Sequence, residues 1–190
     1  MSISIVGSSD GPTSVYLAGK IGKMFFIPAV FILALFYSIY FIKQITAGRK
    51  GIQIRQLGKG KEKSVRITEL ILSMATFFIV PVQLVSVFSD WNFMPTPVRI
   101  AGIAAGTVGD LIFFAAVLTM KNSWRAGIPA QDKTEFVSGG IYRYSRNPAF
   151  LGFDLMYVGI LLMYFNWLLI LFTVWACVML HIQMSAARTY

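Results

Sequence analysis

Five apolar stretches, at about 24–45, 67–88, 98–120, 149–165 and 167–184, limit what this chain can fold into more than any other feature. Each comes close to the roughly 20 residues that a helix needs to cross about 30 Å of hydrocarbon. In lipid every backbone polar group has to be satisfied within its own segment, so each stretch is expected to be helical. The fold class is therefore all-α: a polytopic membrane bundle of about five transmembrane helices. Little more than Asn166 separates the last two, which should form a tight helical hairpin. Each of the two is slightly short for a full span, and tilt or local thinning of the bilayer accommodates that. Composition agrees, since 56% apolar residues, 13% charged residues and a mean hydropathy of +0.67 exceed what a soluble domain requires. The first apolar run begins near Met24 at full membrane length, so a cleaved signal peptide is not expected.

Lysine and arginine positions test this map independently of hydropathy, because short cytoplasmic loops carry the excess of both. Residues 43–66 hold Lys43, Arg49, Lys50, Arg55, Lys59, Lys61, Lys63 and Arg66, and residues 121–148 hold Lys121, Arg125, Lys133, Arg143 and Arg146. The 89–97 loop and the turn at Asn166 hold none. The expected topology puts residues 1–23 outside, despite Lys20 and Lys23, and the C-terminus in the cytoplasm. Residues 24–190 then form a single transmembrane domain with basic cytoplasmic loops at 43–66 and 121–148, in the cytoplasmic membrane of a prokaryote. The net charge of +9 resides in these loops, where anionic headgroups attract each basic residue by about 1 kcal/mol. The lipid bilayer is thus the expected partner, and nucleic-acid binding is rejected. The single cysteine, Cys177, lies in an apolar run and has no partner for a disulfide within the chain.

The densest polar chemistry lies at a membrane boundary, in Gly139–Gly152, which reads GGIYRYSRNPAFLG. Pro148 disfavours helix at Asn147 and suits the first turn of a new helix, making Asn147 a candidate N-cap. Such a helix start, beside Arg146, suits an anion such as a carboxylate. Interfacial anchoring of tyrosine and arginine is the simpler account on composition alone. Two acids lie within spans, Asp110 and Asp154, where an ionised carboxylate costs about 2.5–3.5 kcal/mol, so both are candidates for function or for a protonated structural role. Asp154 follows Arg146 by eight positions and would share a similar helix face. The small residues of Gly102–Gly109 point to close helix packing. Pro81 falls within the second span, where a kink is expected.

At Gly140, Tyr142, Arg146, Asn147, Pro148, Phe150 and Gly152 the chain resembles the isoprenylcysteine carboxyl methyltransferase family of integral membrane methyltransferases, related to the phospholipid methyltransferases. The likeness extends from about Ser123 to Met184. It implies a cytoplasm-facing pocket for S-adenosyl-L-methionine, with Glu135, Phe136, Val137, Tyr142, Asn147, Pro148, Ala149, Phe150, His181 and Gln183 as cofactor contacts. It implies that Arg146, Arg143 or Arg125 orients the acceptor in the reaction, and it involves no metal. The expected acceptor is a lipophilic small molecule or lipidated substrate, foremost an isoprenylcysteine carboxylate, while phospholipid amines and lipophilic thiols fit the same architecture. Family members continue with a Glu-Glu pair and a closing segment where this chain reads HIQMSAARTY, so an inactive or truncated protein on the same fold is the alternative. A third reading, an accessory subunit of a transporter or ion pump, rests on the two intramembrane acids. It also draws on ISIVGSSDGPTS, which resembles a short segment of sodium-pumping decarboxylases but is also an ordinary turn sequence.

Overall fold

The computed structural model describes residues 13–50, 63–123, 139–145 and 147–186. They form α1 (Thr13–Arg49), α2 (Lys63–Ser89), α3 (Thr96–Met120), α4 (Pro148–Met163) and α5 (Trp167–Ala186), with short 3-10 turns at Lys121–Ser123 and Gly140–Arg143. Among the described residues there is no strand, and the molecule is the expected polytopic helical bundle. Four segments, Met24–Arg49, Val65–Ser89, Thr96–Met120 and Trp167–Ser185, are long and apolar enough to cross a membrane. The outward faces present large apolar side chains such as Phe31, Phe77, Leu111 and Leu171, as hydrocarbon rather than water requires.

The helix boundaries follow local chemistry. Extended Pro95 precedes α3, and Pro97 sits in its first turn, where a missing N–H costs nothing. Pro148 opens α4 for the same reason. Asn147 occupies the expected N-cap position, but its side chain makes no capping bond. Its carbonyl instead accepts from the Leu151 N–H at 3.3 Å. α1 starts at Thr13 rather than near Met24, so the second half of the expected extracytoplasmic segment is helical. No proline follows until Pro28, so nothing in the backbone stops the helix sooner. Pro28 and Pro81 both lie inside helices, which a membrane bundle tolerates.

Glycine decides the main packing. A Cβ at Gly159 would fall 2.5 Å from the Gly106 nitrogen, and one at Gly102 would fall 2.7 Å from the Gly159 carbonyl oxygen. Gly109 and Gly152 are equally tight, the latter 2.8 Å from the Phe113 Cβ. The small-residue stripe of α3 therefore meets a second stripe on α4, and the two backbones touch. Phe36, Phe113 and Phe153 fill the space beside this contact, with ring centroids 4.4–5.1 Å apart. α5 packs chiefly on α2, whereas α4 packs chiefly on α3. The hairpin turn, residues 164–166, is short, but its two arms have different principal partners.

The turn is pinned by polar groups. Asn166, buried, accepts from the Leu169 N–H at 2.8 Å and so caps α5. Its amide nitrogen donates to Ser86 Oγ of α2 at 2.9 Å and to the Tyr164 carbonyl at 3.1 Å. Near the same end, buried Arg99 of α3 lies over the rings of Phe25 at 4.1 Å and Tyr164 at 5.0 Å, and reaches Asp90 at 3.3 Å.

Candidate functional site

A cleft of about 300 Å³ opens between the arms at the end opposite the turn. Ser145, Asn147, Phe150, Leu151 and Asp154 line it from the α4 side, and Leu180, His181 and Met184 line it from α5. Both sets follow helical spacing. Asn147, Phe150, Leu151 and Asp154 lie along one face of the start of α4, and Leu180, His181 and Met184 along one face of the end of α5. The cleft exists because the α3 glycines hold α4 and because α2 holds α5, so neither arm closes on the other.

Its polar wall is a carboxylate beside an imidazole. Asp154 Oδ2 lies 3.7 Å from His181 Nδ1, and the two side chains are 20% and 60% exposed. His181 Nδ1 is also 2.9 Å from the Cys177 carbonyl oxygen, one turn earlier. The other carboxylate oxygen, Asp154 Oδ1, is buried and has no hydrogen-bond partner. A buried carboxylate oxygen in that condition is a strong acceptor for any donor or cation that enters. Phe150, Leu180 and Met184 add apolar surface, and the start of α4 adds the positive end of a helix dipole.

The site residues expected from the sequence fall into three groups. Asn147, Phe150 and His181 come together in the cleft. Pro148, Ala149 and Gln183 are buried and outside the cleft lining. Tyr142 and Arg143 belong to the 3-10 turn before α4. That turn packs on the end of α3, where a Cβ at Gly140, φ +59°, would meet Thr119 at 3.0 Å. Burial pushes the Tyr142 phenol up to about 12, which keeps it neutral, while Arg143 is exposed. Arg125, Glu135, Phe136, Val137 and Arg146 lie outside the described residues.

Sequence reasoning singled out Asp154 but did not pair it with His181, and it missed Ser145, Leu151, Leu180 and Met184. The signal for the apolar members was the three- and four-residue spacing from Asn147 and His181. Asp110 is elsewhere: it is buried in α3 with both carboxylate oxygens unpartnered, outside the cleft lining.

Residues 98–187, nearly all of α3 through the end of α5, match the family model described as phospholipid methyltransferase. No curated protein and no solved structure matches the chain. The matched region contains every residue that lines the cleft, and it reaches further upstream than the pattern at Gly139–Gly152.

Proposed function

We propose that this chain, whose residues 98–187 are related to the integral membrane methyltransferases, binds S-adenosylmethionine in the cleft and methylates a lipophilic acceptor from the bilayer. The observation that carries this reading is a coincidence of place. The cleft is built on Ser145–Asp154, which overlaps the methyltransferase-like pattern and falls inside the family match.

The residues present fit the methyl donor. The unpartnered, buried Asp154 Oδ1 suits a cationic group, and the donor carries two, an ammonium and a sulfonium. Phe150, Leu180 and Met184 suit a flat purine, and the start of α4 suits a carboxylate. When bound, S-adenosylmethionine supplies an electrophilic methyl group, and its sulfur keeps the electron pair of the broken bond as a neutral thioether. The chain's own part is to hold, to orient and to exclude water, the largest contribution that positioning alone can make. Asn147 and Phe150 hold the donor, with Glu135, Phe136 and Val137 extending the contact. Tyr142 braces the turn against α3, while Arg125, Arg143 and Arg146 meet an anionic acceptor headgroup. In the topology set by the basic loops the cleft opens to the cytoplasm, where the donor is found.

The acceptor divides into two readings. An isoprenylcysteine carboxylate is already an anion and needs only a cation to orient it. A lipid amine or thiol must lose a proton, and the His181–Asp154 pair in the cleft favours that second class.

The test is calorimetric titration of the detergent-purified chain with S-adenosylmethionine, alongside Asp154→Asn and Arg146→Ala. Saturable binding is expected, weakened about tenfold or more in Asp154→Asn through loss of a charge-assisted contact of about 1.5 kcal/mol. A wild-type chain that binds no donor overturns the reading in favour of a non-catalytic protein on the same fold.

A further inference from the structure

We infer that His181 is the base that removes the proton from the methyl acceptor, with Nε2 as the accepting atom and Asp154 positioning the ring. The inference rests on the methyl-transfer reading above and moves His181 from the donor's side of the cleft to the acceptor's.

Two oxygens assign the proton on the ring. The Cys177 carbonyl, 2.9 Å from Nδ1, has no hydrogen to give, so Nδ1 must donate to it. Asp154 Oδ2, 3.7 Å from the same Nδ1, is a second acceptor on that side. A neutral imidazole has one N–H and one lone pair, so with Nδ1 protonated the lone pair is on Nε2. Free histidine in water prefers the opposite tautomer, and the fold therefore selects the one that leaves Nε2 able to take a proton. His181 is 60% exposed and forms a wall of the cleft, so an acceptor can reach it.

Asp154 gives the proton transfer a direction. Once Nε2 takes the proton the ring becomes a cation beside the Asp154 carboxylate, and that attraction is absent while the ring is neutral. An interaction that strengthens as the reaction proceeds is the kind that raises rate rather than affinity. Among the described residues the titratable groups facing this pair are few. Asp154 faces His181 from α4, and the Cys177 thiol of α5 faces Asp154.

A base selects a class of acceptor. A carboxylate arrives deprotonated and has no use for one, whereas an alkylammonium or a thiol carries a proton on its attacking atom. That proton passes to Nε2, and the electron pair of its former bond becomes the lone pair that forms the new bond to the methyl carbon. The proton then leaves Nε2 for water at the open side of the cleft.

His181 is the only histidine in the chain, so its ring nitrogens can be read without ambiguity in full-length protein labelled with 15N-histidine in detergent micelles. A pyrrole-type Nδ1 signal and a pyridine-type Nε2 signal are expected for the neutral ring, without any donor added. The reverse assignment overturns the inference.

The second arm compares His181→Gln with wild type on three acceptors: vesicles containing phosphatidylethanolamine, a long-chain alkyl thiol and S-farnesylcysteine. Turnover of whichever proton-bearing acceptor is used should fall about 100- to 10,000-fold with donor affinity little changed. Added imidazole should restore part of the activity of His181→Ala, which a merely structural histidine would not allow. Turnover confined to S-farnesylcysteine, or equal turnover in wild type and His181→Gln, overturns the inference while the methyl-transfer reading stands. Failure of the wild type to bind donor overturns that reading instead.

Discussion

The two ends of the α4–α5 hairpin are built on opposite principles. At the turn, polar groups are spent on one another: Asn166 caps α5 and donates to Ser86 of α2, while Arg99 is sandwiched between Phe25 and Tyr164 and reaches Asp90. At the open end, Asp154 Oδ1 is buried without a partner and His181 stands exposed. The turn end binds α1, α2, α3 and the hairpin together, whereas the cleft end leaves hydrogen-bonding capacity for something not part of the chain. Stability and binding should therefore separate along the hairpin.

The largest effect should come from the contact that holds α4 away from α5. Gly159→Val puts its Cβ within 2.5 Å of backbone in α3, and overpacking of that kind costs about 3 kcal/mol or more. The expected outcome in detergent is loss of the cooperative thermal transition. A normal melt would mean that the α3–α4 contact is looser than the structure has it.

Arg99→Ala comes next. It removes a guanidinium packed on two rings and its ion pair, an arrangement worth about 2 kcal/mol when desolvated, so the melting temperature should drop clearly. Asn166→Ala removes a helix cap and a link to α2 and should cost about 1–2 kcal/mol. Both variants should retain donor affinity when assayed below their melting temperatures. Affinity falling in step with stability would erase the distinction between the two ends.

The smallest effect on stability belongs to the cleft. Asp154→Asn should shift unfolding by less than about 1 kcal/mol, because the carboxylate makes no hydrogen bond through Oδ1 to lose. The same substitution should weaken donor binding by about tenfold or more, through the charge-assisted contact. A large melting shift with unchanged affinity would recast Asp154 as a structural acid.

Much of the bundle was legible in the chain. Apolar runs of membrane length located the helices, Pro148 marked the start of α4, and the small residues of Gly102–Gly109 announced a close contact. Their partner was not legible, because Gly152 and Gly159 carry no mark that distinguishes packing against α3 from packing against any other helix. The extension of α1 to Thr13 escaped notice for a different reason: hydropathy ends where lipid ends, but a helix continues until the backbone is interrupted. Asn166 read as a spacer, since capping and the bond to Ser86 depend on where α2 lies. In the site, Asn147, Phe150 and His181 were found through a pattern, whereas the pairing of Asp154 with His181 spans 27 positions and has no periodic signature.

The sequence by itself determined that this chain crosses a membrane as helices, because hydrocarbon offers no partner to an unpaired backbone. Its pattern at Gly139–Gly152 also resembles the family that the match to residues 98–187 supports. Only the tertiary structure decided that the hairpin opens into a cleft, and that an aspartate of one arm meets the histidine of the other. The reason is that helix partners are chosen by backbone approach and shape: α3 accepts α4 where glycines let the backbones touch, α2 takes α5, and the gap between them is a property of neither arm alone.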